Sequence, residues 1–151
     1  MNKIDEAVKC FKDGYNCSQA VFSTYCEQFG LDRDTALKIS CPFGGGMARM
    51  GGTCGAVTGA FMVIGLKEGK YLPDDNEAKE TTYRHVREFT EKFEEIYGSI
   101  QCKDILNCDI NTENGRKFAS EHGLFKNICP GFVCDAARIL EDVLELNKIE
   151  E

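Results

Sequence analysis

Apolar positions along the chain recur at three- and four-residue steps over most of its length. Ile4, Ala7, Val8 and Phe11 give a first helix that stops near Gly14. Asn16 is a good N-cap for a second, whose stripe is Ala20, Val21, Phe22, Tyr25 and Phe29 and whose end is Gly30. Asp32 or Asp34 caps a short third helix through Ile39, which must stop by Cys41 because Pro42 disfavours helical geometry in the residue before it. Glycine clusters follow at 44–46 and 51–52. The stretch 54–66 is then apolar nearly all the way round, the mark of a buried helix. It is too short to span a bilayer, which takes ~20 apolar residues.

Beyond a surface connection at 69–75, residues 76–97 form a long charged helix with the stripe Thr82, Val86, Phe89, Phe93 and Ile96, which faces the core or a partner helix. Gly98 ends it, and Ser99 caps a short helical piece through Cys102 and Leu106. A polar turn at 107–114, a modest helix at 113–121 ending at His122 and Gly123, and a last helix from Cys129 carrying Val133, Ala137, Leu140, Val143 and Leu144 complete the chain. No stretch alternates with period two. The expectation is an all-α fold, one domain over 1–151, with six to eight helices around the central helix.

Composition narrows the function. The 151 residues suffice for a sizeable core. A formal net charge of -7 argues against nucleic-acid and anionic-membrane partners, which want a basic patch. Nine cysteines are many, and the count is odd. With no apolar signal core at the N-terminus, a secreted disulfide scaffold is disfavoured and a reducing cytoplasm is expected. There, abundant cysteine points to metal binding, thiol redox chemistry or burial.

On the helix map, Cys17, Cys54, Cys102 and Cys129 each fall at a predicted helix start. Unpaired N–H groups and the positive dipole end favour thiolate there, by roughly 0.3–1 kcal/mol per end. One such cysteine is slightly activated and no more. Four thiolates brought together would repel each other by more than their helix ends recover, so a four-thiolate site needs a cation, whereas a two-thiol site needs only oxidation. Cys26 falls on an apolar stripe and Cys10 beside one, so both read as core. Cys41 flanks the glycine loop as a possible resolving thiol, and Cys108 and Cys134 are substitutes for a member of the four. Gly44, Gly45 and Gly46 lack the following lysine and preceding strand of a phosphate loop, so close helix packing is expected. Arg49 reads as a surface arginine, Met47 and Met50 as packing residues, and His85 and His122 as solvent-facing. The acidic face of 76–97 reads as solvated.

These segments together resemble the redox-active family named for its C_GCAxxG_C_C pattern: Asn16-Cys17-Ser18-Gln19-Ala20-Val21, Phe43-Gly44-Gly45-Gly46-Met47, Cys54-Gly55-Ala56-Val57-Thr58-Gly59, Gly98-Ser99-Ile100-Gln101-Cys102 and Cys129-Pro130-Gly131-Phe132-Val133. The family's four cysteines map onto Cys17, Cys54, Cys102 and Cys129. The resemblance implies redox activity, and a related domain of split-Soret cytochrome c implies an iron–sulfur centre, with Gly55 and Gly59 beside it. No Cys-x-x-Cys-His motif is present, so that relative's haem does not carry over. The leading expectation is therefore electron transfer through a Cys-ligated iron–sulfur centre, with zinc or another metal second. The alternatives are a metal-free thiol–disulfide protein using Cys54 and Cys17, and a helical interaction module whose cysteines merely pack. The redox partner is unknown, and a homodimer through the stripe of the long helix is a further expectation.

Overall fold

The computed structural model describes residues 1–146 and is all-α. Seven α-helices have eight or more residues: α1 (Lys3–Lys12), α2 (Cys17–Tyr25), α3 (Arg33–Ser40), α4 (Gly55–Glu68), α5 (Asn76–Tyr97), α7 (Glu113–Glu121) and α9 (Cys129–Val143). Two single turns, α6 (Cys102–Ile105) and α8 (Leu124–Asn127), complete the set. The turn α8 falls in a segment too short to show a period. The C-terminus of the second helix also differs from the expectation: α2 ends at Tyr25, and Glu27–Phe29 form a tighter 3₁₀ turn closed by Gly30 at φ 89°. No described helix is long and apolar enough to cross a membrane.

The helix starts follow the cap chemistry. Asn16 accepts from the Gln19 amide at 2.9 Å while the Gln19 side chain accepts from the Asn16 amide at 3.0 Å, a reciprocal capping box. Asp32, not Asp34, caps α3 by accepting from Thr35. Cys41 keeps a helical backbone (φ -50°, ψ -45°) despite preceding Pro42, because it turns directly into a 3₁₀ segment, Cys41–Phe43.

The core is built on α4, whose first two turns, Gly55 to Ala60, are buried on every side. The helix α2 lies along it, and α9 packs against α1, α2, α4 and α5. Gly59 makes the α2–α4 approach possible: a Cβ there would lie 2.8 Å from the Ser18 carbonyl oxygen and 3.1 Å from the Val21 Cβ. Val57, Val63, Ile64, Val133 and Leu140 are fully buried around this seam. Each such side chain contributes on the order of 1.5–3 kcal/mol. Phe89 and Phe93 turn the stripe of α5 inward, stacked with centroids 6.0 Å apart, while Ile96 is 48% exposed. Phe89 and Phe93 of that stripe thus face the core, while Ile96 faces outward. His85, expected in solvent, is largely buried with Nδ1 2.5 Å from the Glu68 carboxylate, because α5 packs on the C-terminal end of α4.

A candidate thiol redox centre

The glycine segment between α3 and α4 builds one wall of the site. Residues 45–49 run consecutively through the left-handed region, and three of them are not glycine: Met47 (φ 67°), Ala48 (φ 51°) and Arg49 (φ 65°). Left-handed backbone costs a non-glycine residue roughly 1–2 kcal/mol, and such strain gathers where geometry serves a site. The turn is held by its own amides: Met47 N–H donates to the Phe43 carbonyl, Ala48 to Pro42, and Arg49 to Gly44. It directs Met47 and Met50 outward, 36% and 59% exposed, so neither packs as expected.

The same loop is sewn to the segment carrying Cys102. Cys102 N–H donates to the Gly52 carbonyl at 2.6 Å, Gly52 N–H to Gly46 at 2.8 Å, and Cys54 N–H to Ile100 at 2.7 Å. An isolated antiparallel bridge, Thr53 with Gln101, sits between these bonds. This pairing, rather than a Ser99 cap, starts α6. The Ser99 hydroxyl instead donates to Asp104 and accepts from the Gln101 amide. On the opposite side, Asn16 donates its side-chain amide to the Cys41 carbonyl at 3.0 Å, which fixes the start of α2 against the end of α3.

The result is one cavity of about 560 Å³ whose wall includes all four cysteines of the sequence pattern, Cys17, Cys54, Cys102 and Cys129. Gly55 lines it too, whereas Gly59 lies behind it, packing α4 on α2. Apolar walls come from Ile110, Phe125 and Phe132. Cys41, exposed, and Arg49 also border the cavity. Arg49 is exposed, as expected of a surface arginine, and it also stands at the cavity wall. Cys108 and Cys134 do not line the cavity, and the Cys108 thiol donates to the Gly115 carbonyl at 3.2 Å. Cys26 and Cys10 are buried in the core, the former donating to the Ser23 carbonyl at 3.3 Å.

Electrostatics separate the four. Cys17 is pulled down to about 7: the Cys54 thiol donates to its sulfur, and the amides of Gly45, Ser18 and Cys17 itself add to this against the cost of burial. Cys54, the donor of that pair, is pushed well up, first by its bond to Cys17, then by burial. Cys102 is raised to about 11 and Cys129 to about 12, chiefly by burial and then by the negative charge of Cys17. The helix start is therefore a minor influence: the Cys54 thiol, more than the amides of Ser18 and Cys17, lowers Cys17, the same bond raises Cys54, and burial outweighs the helix end at Cys102 and Cys129. In the reduced, metal-free protein, iodoacetamide should modify Cys17 first among the four, with a rate that rises through a midpoint near pH 7. Cys102 and Cys129 should stay unmodified until well above pH 9. Peptide mapping of the alkylated protein across pH checks this, and equal rates at all four would contradict it.

A single zinc ion holds its sulfurs at ~2.3 Å. Among the described residues, no group of three or more His, Cys, Asp or Glu side chains converges as it would on one ion. Four thiols face one cavity of about 560 Å³, and glycines clear its wall beside Cys17 and Cys102.

No curated protein and no solved structure matches the chain. The family model described as "Putative redox-active protein (C_GCAxxG_C_C)" matches residues 15–143, a span that includes the whole glycine segment and all four cavity cysteines, and the chain belongs to that family.

Proposed function

We propose that the protein is an electron carrier whose redox centre is an iron–sulfur centre held by Cys17, Cys54, Cys102 and Cys129. The observation that carries this reading is that four thiols from four separate chain segments line one cavity and repel one another's ionisation. Left to themselves they hold no more than one negative charge near neutral pH, so four thiolates there need a cationic group. An iron–sulfur centre bound there supplies one-electron exchange. The chain's own part is to position and shield. Gly55 and Gly46 leave the space beside Cys17 and Cys102 clear, and the amides of Gly45 and Ser18 stabilise negative charge on the Cys17 sulfur. Ile110, Phe125 and Phe132 keep water from that side. Zinc, the alternative metal, carries no redox change and would make the site structural. Nine thiols with none bonded to another suit a reducing cytoplasm.

A second reading is favoured by the Cys17–Cys54 contact, a low thiol beside a buried partner. In a metal-free dithiol protein, these two would close to one disulfide and deliver two electrons and two protons to an acceptor. Iron and acid-labile sulfide analysis after anaerobic reconstitution separates the readings. The first expects both elements bound in the wild type, lost in Cys102→Ala and Cys129→Ala, and kept in Cys26→Ala and Cys134→Ala. The second expects no iron, and the loss of two free thiols on mild oxidation that Cys54→Ala prevents.

A further inference from the structure

A second pocket, about 490 Å³, adjoins the thiol cavity and shares Phe11 and Phe125 with it. Among the described residues, the only charged residue lining the thiol cavity is Arg49, the only charged residues lining its neighbour are Lys12 and Lys126, and no Asp or Glu lines either. In a chain of 25 acidic and 18 basic residues, chance would put carboxylates there at least as often. All three cations are exposed, and among the described residues none of them makes an ion pair. A fourth cation, Arg33, lies 5.4 Å from the ring centroid of Tyr15, which lines the second pocket. The carboxylate of Asp109 stands near Gly51, with Lys103 beside it; its charge reaches Cys102, but it does not line either pocket.

We propose that this cationic mouth docks a small anionic redox partner, with Arg49, Lys12 and Lys126 as the groups that receive it. The proposal rests on the cavity being the redox centre and holds whether that centre is a metal group or a thiol pair. Concavity sets the size class, because pockets of ~300–1,000 Å³ suit low-molecular-weight ligands. Charge sets the chemistry. The acidic remainder of the surface repels a polyanion such as nucleic acid, whereas a small anion needs only the local field of the mouth. The apolar walls of Phe11, Phe125 and Pro130 suit a partner with an apolar body beside its charge.

Outer-sphere oxidants of opposite charge test this. Anaerobically reduced protein is mixed with ferricyanide, a trianion, and separately with tris(phenanthroline)cobalt(III), a trication. Each ion takes one electron. A metal centre gives up one per reagent ion, and a thiol pair gives two electrons to two ions and releases two protons. The rates are followed from about 0.01 M to about 1 M salt, over which the Debye length falls from ~30 to ~3 Å. An acidic protein reacting through its average surface should show a ferricyanide rate that rises with salt. The proposal expects that rate to fall with salt and the cobalt rate to rise. The triple variant Lys12→Glu, Arg49→Glu, Lys126→Glu should reverse both trends and slow ferricyanide about tenfold or more at low salt. A control with the same charge change at exposed sites away from both pockets, Lys70→Glu, Arg87→Glu, Lys117→Glu, should keep the wild-type trends. Circular dichroism confirms that both triples fold. A wild-type ferricyanide rate that rises with salt, or a reversal in the control triple, overturns the docking proposal and leaves the redox reading standing. A protein that neither reagent oxidises overturns the redox reading, and the docking proposal with it.

Discussion

Gly55→Ala is expected to disable the redox centre while leaving the fold in place. A Cβ at this position would stand 2.4 Å from the Cys17 sulfur, 3.0 Å from the Ser18 nitrogen and 3.1 Å from the Phe43 carbonyl oxygen. Two of those neighbours are backbone and cannot retreat without moving α2 or the 3₁₀ turn, so the sulfur is the atom displaced. It would leave the Gly45 and Ser18 amides and the Cys54 thiol that hold its ionisation at about 7. Backbone geometry at the start of α4 suits alanine, which favours a helix by about 1 kcal/mol over glycine. That gain offsets part of an overpacking cost of roughly 1–3 kcal/mol. On the proposed iron–sulfur reading, iron retention should therefore fall at least tenfold, with thermal unfolding shifted little. An iron-to-protein ratio equal to that of the wild type would show that the Cys17 sulfur is not held where α4 begins.

Gly46→Ala should do the reverse and damage the fold through the site. Gly46 has φ 68°, and its Cβ would lie 2.6 Å from the Gly52 nitrogen, 2.7 Å from the Gly52 oxygen and 2.7 Å from the Cys102 Cβ. Alanine there meets a left-handed backbone cost and two fixed backbone atoms at once. Relief requires breaking the bond from Gly52 N–H to Gly46, and with it the bond from Cys102 N–H to Gly52. The loss should be about 2–4 kcal/mol, read as a lowered denaturant midpoint. Alkylation of Cys102 should also begin at lower pH, since opening the segment removes the burial that raises it to about 11. Wild-type stability in this variant would contradict the pairing of the glycine loop with the Cys102 segment.

The helices were legible in the sequence wherever a cap and a stripe agreed. Asn16 with Gln19 fixes the start of α2, and the mixed apolar run fixes α4 as the buried centre. The family pattern and the helix starts also picked out the four cysteines that line the cavity. What stayed hidden has a common physical cause. The left-handed path of Met47, Ala48 and Arg49 is imposed by amide bonds to 42–44 and by the pairing with Cys102, and no local propensity announces it. Tertiary contacts hid the ionisation order: a helix start favours a thiolate only modestly, the Cys17–Cys54 bond splits that pair, and burial outweighs the helix end at Cys102 and Cys129. Lys12 and Lys126 come to the mouth from α1 and α8, elements more than 100 residues apart in the chain, and no spacing connects them.

The central claim is that four distant cysteines make one redox centre, and an anaerobic potentiometric titration of the intact protein tests it most directly. The account predicts one reversible step in the wild type that is lost in both Cys54→Ser and Cys129→Ser and kept at the same potential in Cys26→Ser. A wild-type protein with no reversible step, or a step unchanged in Cys54→Ser and Cys129→Ser alike, would contradict it.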